Sequence, residues 1–465
     1  MDVVVIGCGA SGVAALRRLH DAGLKALGLE VANRIGGRIH TVPFGENNVD
    51  LGAAWCHGEK GNIVYQLAEP LGLLAKPESS HENIYVLSNG EVLEAKKGDS
   101  LAAAIAGEIN RADKNNTKSI SECIRAAKTT NATLKSEPEL AGPFIEWYEH
   151  SNRLGGQTDP RKGASLKGLE ENWPCEGEVW ITWKGRGYQT IIDVLLNKCP
   201  DPSKEVPVEI HLNKDVESIR WSSQTGVDND NPLVQIKCKD GSLYSAKSVI
   251  VTVSVAALKE RHQTMFNPPL PAEKVNSIKN LEVCLLGKIY IEFERPWYPK
   301  HAYHAVIWRE EDKAKFSEDE KWVTEIYGLM TVAHQPNLLL AWIYDTGAEI
   351  MERVSLEGVE AGIKKLLKVV FKDFDVAPVK RILRTQWTLN PLIRGAYAYR
   401  SVGTEENGGS AQILGEPLYR SNGFPVVCFA GEATSHRRHN AVHGAVEAGF
   451  READRLIETF KKFNY

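Results

Sequence analysis

No two cysteines in this 465-residue chain are spaced as CxxC, and none stands beside histidine at metal-ligand spacing. Cys8, Cys56, Cys123, Cys175, Cys199, Cys238, Cys284 and Cys428 are scattered singly. No metal site is expected, and the thiols read as mostly buried; a Cys175–Cys199 disulfide stays open. No run of roughly 18 apolar residues would span a bilayer, and no signal peptide precedes the first strand. The formal net charge is −4, with 56 basic and 60 acidic side chains. Without a basic stripe, neither nucleic acid nor a membrane surface is an expected partner. No repeat of fixed period is visible. The last residues, KKFNY, are not an SKL peroxisomal address. A strand beginning at Asp2 leaves room for a trimmed leader, so a soluble protein, cytoplasmic or secreted, is expected. The two N-x-T sequons, at Asn115 and Asn131, are about what chance provides.

What is present is ordinary globular composition, 43% hydrophobic and 25% charged, in a chain too long for one core. Asp2–Ile6 is a β-branched run suited to a buried parallel strand. Gly7-Cys8-Gly9-Ala10-Ser11-Gly12 follows, then a helical pattern, then the strand LKALGLE ending in Glu30. This βαβ unit places G-x-G-x-x-G between strand and helix. Gly7 permits the turn, Gly9 lets backbone approach a pyrophosphate, and Gly12 lets helix and strand pack closely. The helix N-terminus offers N–H groups to phosphate, and Glu30 sits where a carboxylate takes ribose hydroxyls.

Farther on, Ile84–Ala95 reads as a hairpin around Asn89-Gly90. Residues 100–148 read as helical, interrupted by the polar loop DKNNT. Ile210–Trp221 and Val234–Lys239 read as strands joined by a polar loop, and Ser248–Val253 as a buried strand. Lys288–Phe293 alternates like a half-exposed antiparallel strand. Val354–Phe371 is an amphipathic helix, Pro425–Ala430 a buried strand, and Val442–Lys461 a helix.

After Glu30 come Arg34-Ile35-Gly36-Gly37-Arg38. Here the sequence resembles the flavin amine oxidase superfamily, which carries E-x-x-x-R-x-G-G-R. The resemblance implies FAD, with Arg38 near a phosphate. Phe429-Ala430-Gly431-Glu432-Ala433 resembles the family's second FAD motif, with Gly431 at a close approach and Glu432 on the ribityl chain. Ala441-Val442-His443-Gly444-Ala445 resembles the turn whose N–H groups, that of Val442 included, face the flavin. Val216 matches the position whose backbone holds adenine. Trp387, in Trp387-Thr388-Leu389-Asn390-Pro391, belongs to the same cofactor set. The implied fold is α/β: a Rossmann-type FAD domain with an inserted α+β, mixed-sheet substrate domain, in the p-hydroxybenzoate hydroxylase-like architecture of amine oxidases. The expected boundaries are 1–84, 205–285 and 385–465 for the FAD domain, and 85–204 with 286–384 for the substrate domain.

Leu51–Gly58 (LGAAWCHG) with Gly61-Asn62 is similar to the polyamine and spermine oxidase branch. That likeness implies three catalytic residues. His57 senses or positions the amine. Lys288 meets flavin N5 through a water. Tyr397, in Arg394-Gly395-Ala396-Tyr397-Ala398-Tyr399, walls the site. The implied reaction is hydride transfer from a polyamine, spermine or an N1-acetylated one, to flavin N5. Its products are an aldehyde, a shorter amine and, with oxygen, hydrogen peroxide. Ala396 replaces the cysteine that monoamine oxidases bond to flavin, so non-covalent FAD is expected. Ala441 replaces their second cage tyrosine. Arg437 and Arg438 are awkward neighbours for a polycation and point to a less charged, acetylated amine if they face the tunnel. Glu170, Glu171, Glu176 and Glu178 read either as a solvated loop or as partners for the far end of an extended cation. A monoamine or amino-acid oxidase and a non-catalytic flavoprotein remain as alternatives, and a monomer or weak dimer is expected.

Overall fold

The computed structural model describes residues 1–79, 82–113, 118–155, 159–222 and 233–463. The Asn115 sequon, and most of the DKNNT and 222–232 loops, lie outside the described residues. Strands Pro425–Phe429, Ser248–Val251, Val3–Ile6, Ala26–Leu29 and Glu209–His211 lie side by side in that order, all parallel, with Leu418–Tyr419 antiparallel at one edge. Val3, Val4 and Val5 are fully buried, as continuous β-branched runs are when both faces of a parallel sheet are covered. Helices Ala10–Asp21 and Val442–Lys462 pack against each other beside this sheet. A Cβ at Gly449 would lie 2.2 Å from the Ser11 carbonyl oxygen, so the two backbones nearly touch there.

The stretch expected as one strand, Ile210–Trp221, serves two sheets. Glu209–His211 ends the parallel sheet, whereas Val216–Trp221 pairs with Phe266–Asn267 and Val234–Cys238 in a four-stranded sheet closed by Leu243–Ala246. A second six-stranded sheet runs Val379–Arg384, Leu286–Phe293, Gln335–Tyr344, Ile326–Val332, Ala302–Ile307, Glu82–Leu87, antiparallel except for its last pair. One face meets helix Leu356–Val370, whose Val359, Ile363, Leu366, Leu367 and Val370 form a stripe at helical spacing. Each such buried side chain contributes about 2 kcal/mol. Ser355 caps this helix by accepting the Gly358 N–H at 3.1 Å.

Two expectations change. Leu286–Phe293 is not half-exposed: beyond Leu286 every residue is buried, Lys288 and Glu292 included. Ile289, Ile291 and Phe293 face the helix, while Tyr290 joins an aromatic cluster on the other face. The hairpin at Asn89-Gly90 forms its turn, with Gly90 N–H on Leu87 O at 2.8 Å, but returns only as a Val86–Val92 bridge. The chain then enters helix Ala95–Arg111, and Glu82–Leu87 takes Ala302–Ile307 as its partner. All eight cysteines, Cys175 and Cys199 among them, are free thiols.

Candidate active site

The glycine-rich turn leaves the first strand with Gly7 at φ +91°, a conformation that favours glycine. A Cβ at Gly12 would fall 1.9 Å from Gly7 O, so helix and turn close only without one. Helix Ala10–Asp21 starts at Gly9 with no side-chain cap and no acid in its first turn. Its N–H groups are free for an anion. Ser11 is 4% exposed and its Oγ has no partner. A buried hydroxyl left unpaired calls for a ligand. Glu30 accepts the Cys8 N–H at 2.7 Å and the Ala32 N–H at 2.9 Å, which fixes its carboxylate beside the turn.

Arg34 is spent on the loop itself, donating to the carbonyls of Ile35, Gly37 and Ile39. Arg38 pairs with Glu432 at 2.7 Å and donates to Ala396 O at 3.0 Å. Gly431, at φ +109°, ends the Pro425–Phe429 strand segment and lines a small pocket with Arg38 and Thr252. Glu432 is 6% exposed and also accepts N–H groups of Ala398 and Asn440. It therefore ties three segments together. Val442 opens a 21-residue helix behind Ala441, again without a side-chain cap. Val216 gives its carbonyl to Arg261. The unpaired Ser11 hydroxyl, the two uncapped helix starts and the glycine turn together fit a dinucleotide cofactor.

Asp50-Leu51-Gly52 joins this cradle to a second space. Lys288 Nζ donates to Asp50 O at 2.9 Å and Gly52 O at 2.6 Å. Tyr290 OH donates to Asp50 O at 2.7 Å, and Trp387 Nε1 to Leu51 O at 2.9 Å. A Cβ at Gly52 would lie 1.7 Å from Arg38 O. Lys288 is 5% exposed, and burial draws its ammonium down to about 8, against the attraction of Asp50. The Asp50 carboxyl is itself pushed up to about 6 by burial, although Thr41 and the Tyr188 N–H bond to it. Two of the three Lys288 donors are used, leaving one. Trp342 and Trp55 lie 5.2 and 5.7 Å from the ammonium.

Trp55 continues the wall, meeting Trp180 edge-on at 5.1 Å and His57 at 6.4 Å. His57 Nδ1 bonds Val179 O at 2.7 Å. A carbonyl only accepts, so Nδ1 carries the proton and Nε2 presents a lone pair. Burial lowers the His57 pKa below its ordinary value, with Arg153 and Lys288 adding to the effect and the Val179 bond opposing it. The shift favours the neutral ring. Asn62, fully buried, holds the loop: it caps helix Ile63–Ala68 and donates to the carbonyls of His57 and Gly58. Tyr397 stands on a short strand opposite Cys284. Burial raises its pKa, and Arg153 beside it opposes the rise.

Sequence reasoning named His57, Lys288 and Tyr397, and it did not name their neighbours Trp180, Trp342, Tyr327, Tyr344 and Arg153. Nothing in their local patterns separates them from core or loop residues. The two suspected arginines are accounted for. Arg437 stacks on Trp173 at 3.5 Å, and Arg438 pairs with Glu447 and Gly61 O. Of the acidic loop, Glu171 is paired with Arg400 and Glu176 with Lys60, and Glu178 accepts the N–H groups of Val179 and Trp180.

The model of the flavin containing amine oxidoreductases matches residues 10–457. The chain belongs to that family. Its cofactor is FAD, and it is an enzyme of the amine-oxidising type. Among its relatives is the peroxisomal N(1)-acetyl-spermine/spermidine oxidase of Homo sapiens, 28% identical over 98% of this chain and 94% of the relative. That of Bos taurus is 30% identical, again over 98% and 94%. Polyamine oxidase 1 of Zea mays is 27% identical over 99% of this chain and 91% of its own. Among the described residues, no helix is long and apolar enough to cross a membrane, and no group of ligating side chains could hold a metal.

Proposed function

We propose that this flavin amine oxidase acts on a polyamine-type amine, attacking a carbon next to an internal nitrogen. The observation that supports the reading is that the His57 ring and the Lys288 ammonium both lie against Trp55, with Tyr397 in the same aromatic cluster. The names of the relatives, acetylspermine and polyamine oxidases, point the same way. FAD, when bound, supplies the two-electron acceptor for a hydride from that carbon and passes the electrons to oxygen. The Gly7–Gly12 turn, Ser11, Glu30, Arg38, Val216, Trp387, Gly431, Glu432 and the Val442 N–H would hold it. Ala396 leaves no thiol at the flavinylation position, so the attachment is non-covalent.

The protein's own groups handle the amine. An ammonium cannot release a hydride, so the nitrogen must arrive or become neutral. His57 Nε2, with its lone pair presented, accepts the amine N–H and aims the nitrogen's own lone pair along the carbon to be oxidised. The aromatic faces of Trp55 and Tyr397 accommodate methylene segments and any remaining ammonium. Lys288 keeps one donor for a water between itself and the reacting centre. Segments 1–84, 205–285 and 385–465 act as the cofactor unit in this reading, and 85–204 with 286–384 as the substrate unit. The test is the visible spectrum of the holoenzyme under anaerobic spermine and N1-acetylspermine. Bleaching by one of them supports the assignment, whereas a flavin band untouched by both sinks it.

A further inference from the structure

Arg153 stands where the ending of a helix favours glycine. It follows helix Pro138–Ser151 and its cap Asn152, at φ +56°. Its N–H bonds His150 O at 3.1 Å, and the Leu154 N–H bonds Glu149 O at 3.0 Å. This is the Schellman pair, whose left-handed residue is usually glycine and sometimes asparagine. A glycine occurs two residues later, at Gly155, but not here. A strained backbone at a non-glycine residue raises the question of what its side chain does.

The conformation gives the side chain its direction. The guanidinium lies among Tyr397, Tyr327, Cys284 and Tyr344, and close enough to His57 to influence its ring. Unlike buried Lys288, Arg153 is exposed, so its guanidinium is open to a ligand beside these rings. No carboxylate acts on the guanidinium among its main influences, and Glu149, in the preceding turn, is paired with Arg125 at 2.7 Å. Among the described residues Arg153 has no ion pair; its bond is to the neutral Tyr327 phenol. A guanidinium has five N–H donors in a fixed fork, so most remain for a ligand.

We propose that Arg153 reads an oxygen acceptor, an amide carbonyl or a carboxylate, at one end of the amine substrate and so disfavours unmodified polycations. A charge-assisted hydrogen bond to such an oxygen is among the stronger polar contacts, whereas an ammonium at the same place is repelled by the like charge. The proposal rests on the polyamine-type reading and narrows it.

Three amines with a common secondary nitrogen decide it: spermidine, N1-acetylspermidine and the aminobutyl derivative of β-alanine, which ends in a carboxylate. In the wild-type holoenzyme, kcat/KM for one of the two oxygen-bearing amines should exceed that for spermidine about tenfold or more, and which one leads names the acceptor. Arg153→Gly should bring that ratio within about twofold while keeping or raising Tm, because glycine suits the backbone there; a merely structural arginine would lower Tm instead. Arg153→Lys should keep the order. Spermidine equal to or better than both in the wild type, or a preference surviving in Arg153→Gly, overturns the proposal. Benzoate binding, followed by the flavin band and by Tm, tests the site without turnover. Weaker binding in Arg153→Gly supports the anion-reading role even if none of the three amines bleaches the flavin, an outcome that would count against the polyamine reading alone. Equal benzoate affinity in the two proteins overturns the proposal.

Discussion

The cofactor cradle and the substrate chamber hold small molecules with opposite materials. The cradle is built from backbone: glycines at Gly7 and Gly12, uncapped helix starts at Gly9 and Ala441, and an orphaned hydroxyl on Ser11. The chamber is built from large side chains, Trp55, Trp180, Trp342 and Tyr397, brought together from distant segments, with His57 and the buried Lys288 beside them. Backbone geometry tolerates little change of residue, because an added Cβ strikes backbone. Side-chain walls can be exchanged piece by piece. A cofactor shared by a whole family suits the first kind of site, and a substrate that differs between members suits the second.

Gly52 is where the two regions meet, and it gives the largest expected effect. Gly52→Ala puts a Cβ 1.7 Å from Arg38 O, so both flavin content and activity should be lost, read from the ratio of flavin to protein absorbance. Gly12→Ala, at 1.9 Å from Gly7 O, should empty the cradle while the chamber's tryptophan fluorescence stays native-like. A variant that keeps full flavin would refute the division.

Lys288→Met should lower turnover on the order of 100-fold with flavin retained. Its ionisation should also be visible. Burial holds this group down to about 8 in the folded protein, against its ordinary value of about 10.5 in the unfolded chain. Between those values the unfolded state binds more protons, so this group makes unfolding harder as pH rises through that window. Its burial cost is present below about 8 and relieved above it. Lys288→Met should remove that rise from a series of urea titrations at different pH, and an unchanged slope would exclude Lys288 as its source.

Asn62→Asp exchanges two donated bonds, to His57 O and Gly58 O, for acceptor facing acceptor. A loss of about 2–3 kcal/mol in stability is expected, with KM rising as the His57 loop loosens. His57→Ala should cost about tenfold in kcat/KM, one hydrogen bond's worth, and leave flavin binding alone. Smallest of all, Ser11→Ala removes a hydroxyl with no protein partner. The apoprotein should keep its Tm, while FAD dissociation strengthens or weakens only if the cofactor uses that oxygen; a fewfold weakening is expected.

The cradle was legible because its chemistry is local. Gly7 through Gly12 and Glu30 lie within one βαβ unit, where spacing and the strand–turn–helix context mark them as cofactor candidates. Lys288 illustrates the limit. Its alternating strand reads as half-solvated, and only the second layer packed on that face, with the carbonyls of Asp50 and Gly52 arriving from far away, makes it buried. Arg153 was invisible for another reason: the polar stretch around it looks like any helix-ending loop, and the left-handed backbone that aims its side chain leaves no mark in residue type. The split of Ile210–Trp221 between two sheets was likewise hidden, since both halves have strand composition and only tertiary pairing separates them.

The parallel sheet sets Val3–Ile6 beside Ser248–Val251 and that strand beside Pro425–Phe429, while Gly449 rests on Ser11. A ribosome delivers these pieces in order of sequence. The first glycine turn therefore emerges long before the strand and helix that complete it, and the nascent chain must carry an open sheet edge through nearly the whole of translation. Cofactor capture is consequently a late event, and the interval before it is when this polypeptide most needs a chaperone's shelter.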